Sequence, residues 1–256
     1  MNIGVTAYLV VCPLVLLAGI VDAIAGGGGL ITLPAYMIAG LPAHSAIATN
    51  KLASTMGTSV SVFRYARTGY IRWAFALFCA AFALTGSSLG ARLSLLISES
   101  VLKTVMLFLL PLTAVLVLKG RILDAEREPR TEKAVYLLGA LISFFIGMYD
   151  GFYGPGTGTF LLILLTAIVR LRLHEANGVS KVINLSSNAA SLAVYLFSGN
   201  VLIPLGLTAG CFSILGNWIG TALFINRGLK IAKPVMIGVL AVFFLREAYA
   251  LLSSLF

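Results

Sequence analysis

Apolar residues run along this chain in blocks that are too long and too unbroken for strands. Positions 73–91 carry no charge at all, and 101–118 carry a single lysine. Runs of roughly 17–25 apolar residues match the thickness of a bilayer, and the short alternating segments of a membrane β-barrel are absent. The pattern predicts an all-α polytopic membrane protein with five segments in each half. In the first half these fall at about 4–25, 29–40, 44–66, 71–97 and 100–118, and in the second at about 134–150, 157–170, 174–198, 203–225 and 230–253. The second segment of each half is short, a thin span or a re-entrant helix.

The two halves repeat one another. His44-x6-Lys51 recurs as His174-x6-Lys181, and these are the only two histidines. The same offset of 130 pairs Tyr65 with Tyr195, Gly69 with Gly199, Gly86 with Gly216 and Gly90 with Gly220. Upstream, an offset of 128 pairs Gly19-x2-Asp22-x3-Gly26-x-Gly28 with Gly147-x2-Asp150-x3-Gly154-x-Gly156. Rare residues matching this often mark a duplication. The chain divides into a first repeat (1–118), a charged linker (119–133) and a second repeat (134–256), which together are expected to form one domain.

Composition sharpens the class. The 256 residues are 59% hydrophobic and 11% charged, against about 25% charged in a soluble domain, and mean hydropathy is +1.01. The first twenty residues hold no Lys or Arg, so the first run reads as a retained span rather than a signal peptide. The net charge of +9 sits in short loops between segments, which is a topology signal and not a nucleic-acid footprint. Basic loops change places between the halves. Arg64, Arg67 and Arg72 follow the third segment of the first half, whereas Arg170 and Arg172 follow the second segment of the other. Further along, Arg227, Lys230 and Lys233 follow that half's fourth segment, and Arg92 and Lys103 flank the corresponding loop of the first. If basic loops mark the cytoplasm, the repeats are inverted, five crossings each, with a cytoplasmic linker and both termini outside.

Inversion focuses attention on the two glycine clusters, Gly26–Gly29 and Gly154–Gly158. Inverted-repeat transporters build midplane sites from broken helices, and irregular backbone survives at that depth only in protein or against a wet cavity. Helix N-termini after Gly26, Gly27, Gly28 and Gly29, and after Gly154, Gly156 and Gly158, would aim N–H groups at an anion. Close packing by small residues is the plainer alternative, and the reading preferred for Gly86/Gly90 and Gly216/Gly220. A P-loop is excluded, since no Gly-Lys-Ser/Thr follows.

Lys51 and Lys181 lie two turns into their third segments among small and apolar neighbours. An intramembrane ammonium is costly and marks function by default, with snorkelling the alternative. Two at equivalent positions point to anion binding or charge compensation, with Asn50, Ser54, Asn184, Ser187 and Asn188 within two turns as hydrogen-bond donors or helix bridges. Asp22 and Asp150, close to the breaks, are expected to pair with these lysines or carry a coupled proton. His44 and His174 begin their segments and either titrate or hydrogen-bond a loop. Tyr65 and Tyr195 read as interfacial anchors. Arg246 falls inside the last segment beside Glu247 and is expected to be buried against a partner. Cys12, Cys79 and Cys211 stand singly, as packed thiols. No catalytic constellation, metal-ligand spacing or cofactor motif is found.

The break followed by Leu30-Ile-Thr-Leu-Pro34, then Ala48-Thr-Asn-Lys51 and Arg67-Thr-Gly-Tyr-Ile71, resembles the sulfite exporter TauE/SafE family. Tyr149-Asp-Gly-Phe-Tyr-Gly-Pro-Gly-Thr-Gly158 in the second half is similar to it as well. The resemblance implies a multi-pass protein of the bacterial inner membrane that moves sulfite, organosulfonates or related small anions. It carries the glycine clusters, Asn50, Lys51 and Lys181 over as pathway residues, and Ser180 departs from the pattern by replacing the Asn that precedes the lysine. Read from spacing alone, the partners are a small anion and the lipid bilayer. A carrier of another carboxylate or amino acid, and a passive anion channel, remain the competing readings.

Overall fold

The computed structural model describes residues 4–102, 104, 130–227, 231 and 234. Helix α1 (Val5–Ala25) ends where Gly26 takes a left-handed conformation, φ 78°. The ten-residue α2 (Gly29–Ile38) follows, then α3 (Ala43–Arg67) and α4 (Trp73–Leu96). The second half supplies α5 (Glu132–Phe152) and α6 (Thr157–Leu164), the latter continuing as a π turn over Leu165–Val169. Helices α7 (Leu173–Phe197) and α8 (Ile203–Arg227) complete the described set. Eight of the ten expected segments therefore appear with boundaries close to those read from the sequence. Most of the two fifth segments, most of the linker, and Arg246 with Glu247 lie outside the described residues.

Among the described residues, α1, α4, α5 and α8 are long and apolar enough to cross a membrane. Helices α3 and α7 are as long, 25 residues each, but dilute their apolar content with side chains that face inward. Thr49, Asn50, Lys51, Thr58 and Ser61 of α3 are buried, as are Asn177, Ser180, Lys181, Asn184, Ser187, Asn188 and Ser191 of α7. Polar inside and apolar outside is the arrangement a bilayer demands of a helix that carries charge.

The halves interlock rather than sit side by side. α1 packs on α8 and α4 on α5, so the first helix of each half rests on the fourth of the other, while α3 and α7 cross in the middle. Small residues set these contacts. A Cβ on Gly86 would stand 2.1 Å from the Phe144 carbonyl oxygen, and one on Gly90 1.9 Å from that of Met148. At the repeat-equivalent contact, Gly216 and Gly220 would meet the carbonyl oxygens of Leu16 and Ile20 at 2.2 and 2.4 Å. Backbones this close leave no room for a side chain, the GxxxG arrangement of lipid-embedded helices.

Candidate functional site

The two helix breaks meet. A Cβ on Gly26 would lie 2.1 Å from the carbonyl carbon of Gly158, and Thr159 N–H donates to the Gly26 carbonyl at 3.2 Å. Ending a helix inside the protein orphans its last carbonyls, and each half finds donor partners for them. The Asp22 carbonyl receives Gly26 N–H (2.8 Å) and Lys181 Nζ, and the Ala23 carbonyl receives Tyr65 Oη at 2.9 Å. The Ala25 carbonyl receives Thr159 Oγ1 at 2.7 Å. In the second half Tyr195 Oη donates to the Gly151 carbonyl at 2.9 Å, the repeat counterpart of the Tyr65–Ala23 bond. Left-handed Gly156 (φ 78°) then starts α6, a conformation that L-residues with a Cβ rarely adopt.

Tyr65 and Tyr195 are therefore not interfacial anchors. Both are fully buried, and their hydroxyls cap the ends of α1 and α5. Their duplication in sequence marked them, but the amphipathic ring suggested the wrong depth.

Beside the breaks lie two crossed ion pairs. Lys51 Nζ of the first half stands 2.8 Å from Asp150 Oδ2 of the second, and Lys181 Nζ of the second stands 3.1 Å from Asp22 Oδ2 of the first. Both lysines are buried, so they do not snorkel. Lys51 also donates to Asn188 Oδ1 at 3.0 Å, and Ser187 Oγ donates to Asp150 Oδ2 at 2.7 Å. Each carboxylate sits at a helix C-terminus, where the dipole disfavours negative charge, and the ammonium from the other half supplies the compensation.

The remaining sequence candidates fall into three groups. Asn50, Ser54, Gly28 and Gly29 line a small polar cavity with Asp22, and Ser54 Oγ lies 3.4 Å from Asn50 Oδ1. Asn184 receives Asn188 Nδ2 at 3.1 Å in the second half. His44 stands apart from the breaks, with Nδ1 3.0 Å from Glu99 Oε2 and Nε2 3.0 Å from the Ser94 carbonyl. His174 also stands apart, its ring 4.9 Å from Tyr70 and 5.5 Å from Phe224. The structure thus joins the glycine clusters, aspartates and lysines, and leaves both histidines outside. Cys12 and Cys79 are packed, whereas Cys211 is exposed.

His174 borders a cleft of about 330 Å³ with Tyr70, Arg72, Arg172 and Glu175. Arg72 leaves the third segment of one half and Arg172 the second segment of the other, so basic loops from unlike positions share one face. On the other side of the molecule, the Leu202 N–H of the α7–α8 turn donates to Thr49 Oγ1 near the start of α3, at 3.1 Å.

Comparison with known proteins places this architecture. A probable membrane transporter protein, ORF9, from Sinorhizobium sp is 36% identical over 232 residues, covering 90% of this chain and 87% of that protein. A probable membrane transporter protein of Haemophilus influenzae is 32% identical over 238 residues, covering 93% and 92%. The probable membrane transporter protein YfcA of Escherichia coli K12 is 29% identical over 228 residues, covering 89% and 84%. No solved structure matches the chain. The family model described as sulfite exporter TauE/SafE matches residues 11–246, nearly the whole length, and the chain belongs to this family of membrane transporters.

Proposed function

We propose that the protein is a secondary transporter that moves a small anion, sulfite or an organosulfonate, across the bacterial inner membrane by alternating access. The observation that carries the reading is the pair of crossed lysine–aspartate contacts beside two touching helix breaks. A buried ammonium held by a carboxylate in the resting state can pass to a substrate anion once that carboxylate is hydrated or protonated, whereas an isolated buried charge would not be tolerated. The interlocked halves, with basic loops from unlike positions on one face, support an inverted repeat whose rocking about the breaks alternates access. The work is translocation, with no bond made or broken.

Flux of radiolabelled sulfite or sulfoacetate into proteoliposomes, with and without a proton gradient, tests the proposal. Saturable flux that responds to the gradient is the expected result. Ohmic current would establish a channel instead, and absence of flux for both anions would overturn the substrate class.

A further inference from the structure

The two crossed ion pairs are related by the repeat, yet their surroundings differ in a way written into the sequence. Asp150 is closed in, its side chain 3% exposed between Lys51 and Ser187. Asp22 keeps 16% exposure. At the repeat position of Ser187 stands Gly57, so no hydroxyl reaches Asp22 from there. The facing wall changes in the compensating sense, with Ser213 and Asn217 where the other half has Ala83 and Ser87. A Cβ on Gly57 would lie 2.1 Å from Ser213 Oγ and 2.5 Å from Asn217 Nδ2. The smaller residue on α3 and the larger ones on α8 therefore fit only together. In the other half, Ser87 Oγ donates to the Ser187 carbonyl at 2.6 Å, level with the carboxylate, whereas Asn217 is held by Ser61 Oγ at 2.7 Å, one turn further along α3 than Gly57.

The consequence is a cavity of about 20 Å³ beside Asp22, bordered by Asn50, Ser54, Thr58, Ser213 and Asn217. That is room for about one water, and the lining supplies the polar partners a water needs. A lipid chain there would strand those groups without hydrogen bonds. Parting Lys51 from Asp150 would instead leave two buried charges facing packed protein.

We infer that the two pairs divide the labour: Asp22–Lys181 is the pair that opens to let the anion onto the lysine, and Lys51–Asp150 stays closed throughout the cycle as a brace. This rests on the transporter reading above. The arriving anion takes the place of the Asp22 carboxylate on Lys181 Nζ, and Ser54, Thr58, Ser213 and the amides of Asn50 and Asn217 can donate to its oxygens. A strictly symmetric transporter would open each pair in turn, one on each side.

Cysteine accessibility separates these. In a background with Cys12, Cys79 and Cys211 changed to Ser, Ser54→Cys and Asn184→Cys occupy repeat-equivalent positions. Each is treated with 2-sulfonatoethyl methanethiosulfonate in right-side-out and inside-out vesicles, with and without sulfoacetate, a sulfonate that does not itself attack the reagent. Ser54→Cys is expected to react at least about tenfold faster, from one side or both, because a buried thiol must wait for an opening. Equal rates, no reaction at either position, or Asn184→Cys becoming reactive on addition of sulfoacetate overturns the inference. Sulfoacetate should slow Ser54→Cys; preserved asymmetry without that protection counts against the substrate and not against the division. Adding Gly57→Ser, Ser213→Ala and Asn217→Ser together rebuilds the closed wall. That variant is expected to abolish labelling of Ser54→Cys, and retained labelling in folded protein overturns the inference independently.

Discussion

Lys51 of α3 reaches Asp150 at the end of α5 with 2.8 Å between Nζ and Oδ2, and both side chains are almost fully shielded. Removing one member of a buried pair leaves the other uncompensated, at a cost of about 3–5 kcal/mol. Lys51→Ala is therefore expected to lower the melting temperature in detergent sharply, and Lys51→Met with Asp150→Leu to restore much of it. A double variant no better than the single would show that the charges do more than neutralise each other.

Lys181→Ala should behave differently, because Asp22 retains access to the cavity and can be hydrated. Sulfite uptake by proteoliposomes is expected to fall to background while thermal stability drops less than in Lys51→Ala. Wild-type uptake by this variant would remove Lys181 from the pathway.

Tyr65→Phe keeps the ring and deletes the hydroxyl that donates to the Ala23 carbonyl and accepts from Asn177 Nδ2. An unsatisfied buried acceptor costs about 1–3 kcal/mol, so thermal unfolding should register a loss of that order. Tyr195→Phe, at the Gly151 carbonyl, should register a loss within the same range, and no larger than that of Tyr65→Phe.

Gly90→Val places a branched side chain where even a Cβ would stand 1.9 Å from the Met148 carbonyl oxygen. No monodisperse protein is expected on size exclusion. At Gly40, with φ 88° and nothing within 4 Å of a Cβ, alanine meets only backbone strain of about 1–2 kcal/mol. Folded Gly90→Val of normal yield would contradict the α4–α5 packing.

Much of this arrangement was legible beforehand, and for a definable reason. Duplication makes rare residues conspicuous, so Asp22/Asp150, Lys51/Lys181 and the glycine clusters stood out, and bilayer thickness fixed the helix ends to within a few residues. What each residue touches was harder. Offset matching reveals equivalence within a repeat, but Lys51 pairs with the aspartate of the opposite half, a contact set by the interlocking of helices. The tyrosines were placed at the wrong depth because residue type favours the interface, while the orphaned carbonyls they cap exist only once α1 and α5 are seen to stop. The cavity at Asp22 depends on where the repeats disagree, Gly57 against Ser187, and a search for similarity passes over such positions.

The crossed pairing also imposes an order in time. Asp22 and its lysine are 159 residues apart, about 8–30 s of synthesis at bacterial elongation rates. Throughout that interval Asp22 has no Lys181 to meet, and for much of it Lys51 likewise waits for Asp150. Those helices cannot settle into lipid as finished spans, and must wait near water or beside an insertion partner until the second half arrives. Neither half is then a sensible unit to express alone, and pulse-chase protease protection should show the first half becoming resistant only after Lys181 has been synthesised.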